Sequence, residues 1–262
     1  MPPTPTDRHD QALADAFDGQ ADRFEKAPVQ ADPDALRRLL LAADLPADSL
    51  VFDAGCGPGL VSLALLEAGH RVVGVDLSGE MVAKARNRCA PFGDRARFDQ
   101  RPIEAEAKAG TYDGSISRYV LHHVIDPLRF VRAQVALVRP GGIVTLSDHT
   151  TDPHPDLAKG HEEVERLRDR THTRNLSPGE IVDLFALAGL ESIRSVEEPF
   201  TLDFDEWFDR GTPLAPKPEI RERIRTLPPT RGFRVEDLGD GRLTIHCRRA
   251  IVRGVVPEAG WT

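Results

Sequence analysis

The sequence predicts an α/β fold: a doubly wound, mostly parallel sheet of seven strands with helices on both faces, preceded by N-terminal helices and carrying a small helical cap. Three observations predict it. Between residues 50 and 147 strand-like and helix-like stretches alternate, the βαβα rhythm of a parallel sheet covered on both sides. An apolar strand at Val51 runs straight into three alternating glycines and then a helix. The 262 residues are 40% hydrophobic, enough to fill one sizeable core and too apolar for a disordered chain.

The first seven residues hold three prolines and read as a tail. Apolar side chains then recur at helical spacing over 11–24 (Leu13, Ala16, Phe17, Ala21, Phe24). A second helix, 34–43, follows Pro33 at a position favoured at helix starts. Strands are expected at 50–54, 71–75, 96–100, 112–117 and 142–147, with helices at 60–68, 79–89 and 126–138. Pro140-Gly141-Gly142 is the turn into the fifth strand. After Ser147 the rhythm breaks into a loop at Asp152-Pro153-His154-Pro155 and a charged helix over 161–169. Ser177, Pro178 and Glu180 form a capping pattern that starts another helix, ended by Gly189. The last two strands are 191–197 and 243–252, separated by a proline-rich stretch, 203–230, with an amphipathic helix near 219–227.

With 34 basic against 42 acidic side chains the formal charge is −8, so the chain as a whole repels a phosphate backbone and nucleic acid is not the expected substrate. Cys56, Cys89 and Cys247 form no CxxC pair, which argues against a disulfide framework or a cysteine-rich zinc site. The N-terminus lacks an apolar leader core, and no segment offers the roughly 20 apolar residues that span a bilayer. A cytoplasmic protein without a membrane span is expected. His149, Asp152, His154 and His161 match no ligand spacing, so no metal is expected.

The strongest local signal is Val51-Phe52-Asp53-Ala54-Gly55-Cys56-Gly57-Pro58-Gly59. Its glycines let the backbone turn tightly and let a ligand lie against main chain. No Lys-Ser/Thr follows for a nucleoside triphosphate, and Asp53 stands where it would repel a pyrophosphate but attract an ammonium or sulfonium. The second strand ends in Asp76, placed to accept hydrogen bonds from two ribose hydroxyls.

On these residues the sequence resembles the class I S-adenosylmethionine-dependent methyltransferases, whose first motif is acidic-x-Gly-x-Gly-x-Gly. Arg118-Tyr-Val-Leu-His-His-Val-Ile-Asp-Pro127 with Val138-Arg-Pro-Gly-Gly142 is similar to the ubiquinone/menaquinone-type, small-molecule branch, and Arg168-Asp-Arg-Thr-His172 resembles an Arg-Asp-Pro-Ser-His element of some members. The resemblance spans about 17–252 and implies S-adenosylmethionine as cofactor, with S-adenosylhomocysteine as product. It implies that Gly55, Cys56, Gly57 and Gly59 lie under the methionine part, that Asp53 meets its amino group and that Asp76 takes the ribose. Leu77 and Met81 would pack near the adenine, Phe24 would fold over the cofactor from the N-terminal helices, and Ser117 and Arg118 would close its site at the fourth strand. One position departs from the family: Pro102 stands where an acidic residue usually meets the adenine amine, leaving the Ile103 N–H to the ring, and Asp99 would compensate only after a register slip.

Methyl transfer is an in-line displacement in which positioning and desolvation supply much of the acceleration. Ligands of open parallel sheets lie beyond the carboxyl ends of the strands, which points to Arg118, His122, His123, Asp148 and His149. His123 is the first candidate for a general base, since an imidazole titrates near working pH; His122 and His172 are further candidates. A His-His pair at a helix start also reads as one core and one solvent-facing residue. Trp207 and Phe208 either line an acceptor pocket or cement an insertion. The organisation expected is a tail and cofactor-covering helices over 1–45, then one domain over 46–262 with substrate-covering insertions at about 149–176 and 203–230. The function expected is methyl transfer to an oxygen or carbon of a small-molecule acceptor, with homodimerisation left open. The alternatives are a cofactor-retaining, non-methylating enzyme of the same fold (cyclisation or decarboxylation) and a non-catalytic cofactor-binding partner.

Overall fold

The computed structural model of the chain describes residues 5–26, 28–106 and 109–258. Four helices come first: α1 (Pro5–Asp18), α2 (Ala21–Lys26), α3 (Pro28–Ala31) and α4 (Pro33–Ala43). The alternating core follows as β1 (Leu50–Ala54), α5 (Leu60–Glu67), β2 (Arg71–Asp76), α6 (Gly79–Cys89), β3 (Ala96–Gln100), β4 (Tyr112–Arg118), α7 (Pro127–Leu137) and β5 (Val138–His149). The remainder is α8 (Pro155–Arg168), α9 (Pro178–Leu187), β6 (Glu191–Asp203), α10 (Phe204–Asp209), α11 (Lys217–Thr226), β7 (Phe233–Asp237) and β8 (Leu243–Val255).

The strands order as β3-β2-β1-β4-β5-β8-β6, parallel from β3 to β5 and antiparallel where β8 pairs with β5 and β6. All seven expected strands are present. An eighth, β7, pairs with β8 where β8 has run past the end of β5. Its weak alternation, with Phe233 buried and Arg234, Glu236 and Asp237 exposed, hides it from a pattern search. The strand expected at 191–197 runs on to Asp203 because β8 pairs with it throughout; Pro199 is tolerated because β6 is an edge.

Two corrections concern the N-terminus. The helix expected over 11–24 is two helices, and α1 begins at Pro5, inside the stretch expected to be tail; residues 1–4 of that tail lie outside the described residues. Gly19 has little helical preference, and the Asp18 carboxylate is drawn off the helix to Ser78 Oγ (2.5 Å) and the Glu80 N–H (3.2 Å), so the chain turns there.

Side chains alternate across the strands into two cores. Phe52, Ala54, Val75, Val144 and Leu146 meet Ile181 and Phe185 of α9 on one face. Val51, Val72, Phe98 and Ile116 meet Leu39, Leu65 and Val82 of α4, α5 and α6 on the other. Burial of each large side chain supplies roughly 1.5–3 kcal/mol. The α9 start is the expected capping box, with Ser177 and Glu180 bonded reciprocally.

The chain winds outward from β1 through β2 to β3 and then returns to place β4 on β1's other side, so the switch point lies between β1 and β4. Packing beside it is tight. Gly59 sits at φ +82°, and a Cβ there would lie 2.9 Å from Ala85 Cα. Gly59→Ala should therefore lower stability in urea unfolding by more than about 1 kcal/mol; an unchanged midpoint would show that α5 and α6 have room to part.

Candidate functional site

At the switch point opens a cavity with about 1470 Å³ of atom-free space, part of it open to solvent. Its floor is the glycine loop. Gly55 and Cys56 donate to the Val75 carbonyl (3.0 and 2.9 Å), which pins the loop to the end of β2. Gly55 is at φ +75°, and a Cβ would come 2.6 Å from Val120 Cγ2; at Gly57 it would meet nothing within 4 Å, so that backbone is open to a ligand. Gly59 does not line the cavity and serves packing instead.

Two carboxylates face this floor. Asp76 accepts from the Gly57 N–H and the Ser78 N–H, both at 2.9 Å, and burial still raises its pKa. Asp53 is 1% exposed and accepts from Ser62 Oγ at 2.6 Å; burial pushes it up to about 7 against that hydrogen bond. Among the described residues neither carboxylate has a cationic side chain in ion-pair contact. Cys56 lines the loop as a buried thiol that burial holds well above its ordinary pKa, the state of a filler and not of a nucleophile.

Leu77, Met81, Pro102 and Ile103 line the wall beyond Asp76. Strands β2 and β3 pair without a slip, Val75 opposite Asp99 and Asp76 opposite Gln100. Asp99 therefore turns to Arg97 (2.6 Å) and Arg101 (3.7 Å) and takes no part in the lining. Pro102 precedes the turn Ile103–Ala105, whose first N–H groups have no partner within the turn. The carboxylate on this wall is Glu104, 3.1 Å from Arg129.

The histidines separate. Asp148, on β5, accepts from the Leu121 N–H (2.6 Å), His122 Nδ1–H (2.6 Å) and the His149 N–H (2.7 Å). This fixes the turn Leu121–His123 and keeps His122 out of the cavity lining. Burial opposes a charge on His122, but Asp148 outweighs it and raises the pKa. His123 does line the cavity. Its Nδ1 lies 3.1 Å from the Thr171 carbonyl, which can only accept, so Nδ1 carries the proton and Nε2 keeps its lone pair. Burial, then the neighbouring His122, lowers its pKa to about 3. His172 is buried against Glu162 (3.2 Å) and lies outside the lining.

The cover comes from the N-terminus. Phe17, Phe24 and Leu13 line the cavity, with Phe17 edge-on to His123 at 5.1 Å. His9 Nε2–H donates to the His123 carbonyl (2.7 Å). Arg118 lines the cavity too, but its terminal nitrogens donate to the carbonyls of Gln30 (2.8 Å) and Val29 (2.9 Å), so it fastens α3 to the sheet. Ser117 points into the core beside it, 1% exposed and off the lining. The segments 149–176 and 203–230 give no lining residue: Trp207 and Phe208 pack with Val164, Ile220 and Phe233 into a third core.

Sequence reasoning missed Tyr119. It lines the cavity at φ +59°, a left-handed conformation that costs a residue with a side chain about 1–3 kcal/mol. No spacing signals this; the position becomes visible only when Arg118, Arg249 and His149 close around it.

Comparison with known proteins agrees with this geometry. Residues 22–195 match the family described as a methyltransferase domain. A ubiquinone biosynthesis O-methyltransferase of Bordetella avium (strain 197N) is 35% identical over 195 residues, 70% of this chain and 81% of the relative. The crystal structure of the YcgJ protein from Bacillus subtilis superposes with a TM-score of 0.76 at 23% identity, covering 87% of this chain and 99% of that one. The Burkholderia thailandensis 1,6-didemethyltoxoflavin-N1-methyltransferase, solved with 1,6-didemethyltoxoflavin and S-adenosylhomocysteine, gives 0.61 at 18% identity over 98% and 93% of the two chains. The chain belongs to the class I S-adenosylmethionine-dependent methyltransferases.

Proposed function

We propose that this one cavity holds S-adenosylmethionine on its carboxylate side and a small-molecule acceptor on its His123 side, and that the transfer is to oxygen or carbon. The observation that carries the reading is the pair Asp53, buried, and Asp76, half-buried, which among the described residues have no cationic side chain in ion-pair contact and stand above a loop whose Gly57 backbone lies open. Such a floor suits a cationic nucleoside and is hostile to a pyrophosphate. The name of the Bordetella relative supports oxygen as the receiving atom. The −8 charge supports a small molecule over nucleic acid, and a cytoplasmic location fits three free, buried cysteines.

When bound, S-adenosylmethionine supplies an electrophilic methyl group. The chain's own contribution is binding, orientation and water exclusion. Asp53 would take the amino group, Asp76 the ribose hydroxyls with the lone pairs left by Gly57 and Ser78, and Leu77 and Met81 the adenine face. Ile103 would offer its N–H to the ring where Pro102 has no carboxylate. Phe17 and Phe24 close the roof, so that the acceptor reacts out of water. His123 presents the Nε2 lone pair as a hydrogen-bond acceptor; its low basicity makes it an aligner and weak base.

Three outcomes are expected. Labelled S-adenosylmethionine incubated with phenols, quinols and polyketide-like acids should give S-adenosylhomocysteine and methylated product in equal amounts; product without cofactor consumption would sink the reading. Because Asp53 attracts a cation only when ionised and its pKa is raised to about 7, S-adenosylhomocysteine affinity should climb as pH rises through that value and level off above it. Calorimetry on Asp53→Asn should show that rise abolished; a wild-type affinity flat across neutrality would remove Asp53 from the site. His123→Ala should cut turnover by about 10–100-fold with S-adenosylhomocysteine affinity unchanged, and since His123 is neutral above about 3 the wild-type profile should show no limb from it near 6.5. A fully active variant would place the aligning group elsewhere.

A further inference from the structure

Among the side chains of the cavity without a role in the reading above is the strained one, Tyr119. Tyr119 is 8% exposed, lines the cavity and is held by contacts on every side. Arg249 Nη1–H donates to its hydroxyl oxygen at 2.8 Å. The Arg118 guanidinium carbon lies 4.5 Å from its ring centre, and His149 meets the ring edge-on at 4.7 Å. Arg249 is itself fixed by Glu198 (2.7 and 2.9 Å), which also grips Arg38 (2.7 Å).

A guanidinium has donors and no acceptor. The hydroxyl oxygen of Tyr119 is therefore occupied, while its proton, among the described residues, meets no acceptor. A buried O–H with nowhere to donate is costly unless a ligand completes it. The surrounding charge tells which ligand. Arg118 is buried, spends its terminal N–H groups on neutral carbonyls and has no carboxylate at ion-pair distance among the described residues. Glu198 is shared between Arg38 and Arg249. Arg118 thus places a cation beside Tyr119 in the cavity lining.

We propose that Tyr119 is the acceptor-positioning and specificity-determining residue of this enzyme: its hydroxyl, fixed by Arg249 beside the charge of Arg118, donates to an ionised oxygen of the acceptor. The proposal rests on the cavity being the cofactor and acceptor site. It also supplies what His123 lacks. A weakly basic imidazole does not strip a hydroxyl group by itself, whereas a neighbouring guanidinium lowers the pKa of the acceptor and holds it as the anion. Acidic hydroxyl compounds are thereby preferred over neutral ethers and amines.

The test uses the full chain saturated with S-adenosylhomocysteine and two probes of nearly equal shape, p-nitrophenol and its neutral ether p-nitroanisole. Wild-type protein should bind p-nitrophenol at least about tenfold tighter than p-nitroanisole, the worth of a charge-assisted hydrogen bond. The bound p-nitrophenol should absorb as phenolate at a pH where the free probe is mostly phenol. Tyr119→Phe, which keeps the ring, should lose about tenfold of that preference and the phenolate band, with S-adenosylhomocysteine affinity within twofold of wild type. A wild-type protein without the preference, or a Tyr119→Phe protein that keeps it, overturns the proposal; the wild-type measurement decides even if the variant folds poorly. The two readings fail separately, because S-adenosylhomocysteine titration reports on Asp53 and Asp76 and the probe spectrum on Tyr119.

Discussion

The carboxylate of Asp76 is the constraint on which the site depends. One oxygen accepts from Gly57 in the loop after β1, the other from Ser78 at the head of α6. The same Ser78 caps α6 at the Met81 N–H and donates its hydroxyl to Asp18 at the end of α1. One half-buried charge thus ties together two strand ends, the glycine loop, a helix start and the roof. Removing it would disturb all of these at once, which is why a residue of this kind cannot be treated as a ligand contact alone. Its burial is tolerated because two N–H groups stand where water would be, and the lone pairs they leave point to the cavity's use.

The roof follows from polar anchors more than from packing. Arg118 grips the α3 carbonyls, His9 the His123 carbonyl, and Asp18 the head of α6. Between these anchors lie Leu13, Phe17 and Phe24, apolar groups that line the cavity. Each anchor is a single hydrogen bond or a pair, worth about 0.5–1.5 kcal/mol net when neutral. Opening a cover fastened this way would cost a few such bonds.

How much of this was legible depended on whether a residue's role is set locally. The glycine loop and Asp76 were legible because a strand, a tight turn and a helix start leave a continuous signature, and Gly55 and Gly57 need backbone freedom that other residues lack. The seven strands were legible from period and length. The partition of His122 from His123 was not, since it is decided by Asp148, 26 residues away, and by the Thr171 carbonyl, 48 away. The break at Gly19 was hidden because its cause, Ser78, is 60 residues from Asp18. Pro102 was read as a departure from the family pattern, and whether Asp99 could compensate depends on its pairing with Arg97, which only the β2–β3 register settles. Tyr119 was the furthest from view: a positive φ in a bulky residue has no sequence signal and persists because surrounding structure holds it.

The cavity's chemistry is best understood as a separation of charge. Carboxylates at the β1 and β2 ends favour a cation, and the Arg118 guanidinium at the end of β4 favours an anion. A reaction in which cation and anion meet and become neutral gains from leaving water, since the low dielectric penalises separated charges more than the spread charge of the transition state. With the two partners bound as proposed, these fixed charges would offset part of the desolvation that otherwise opposes their approach. His123, neutral and anchored at Nδ1, fits this scheme as an aligning group. A strongly basic imidazole there would carry a positive charge at neutral pH and compete with the cationic partner for the same pocket, so the burial that weakens His123 as a base also keeps the charge separation intact.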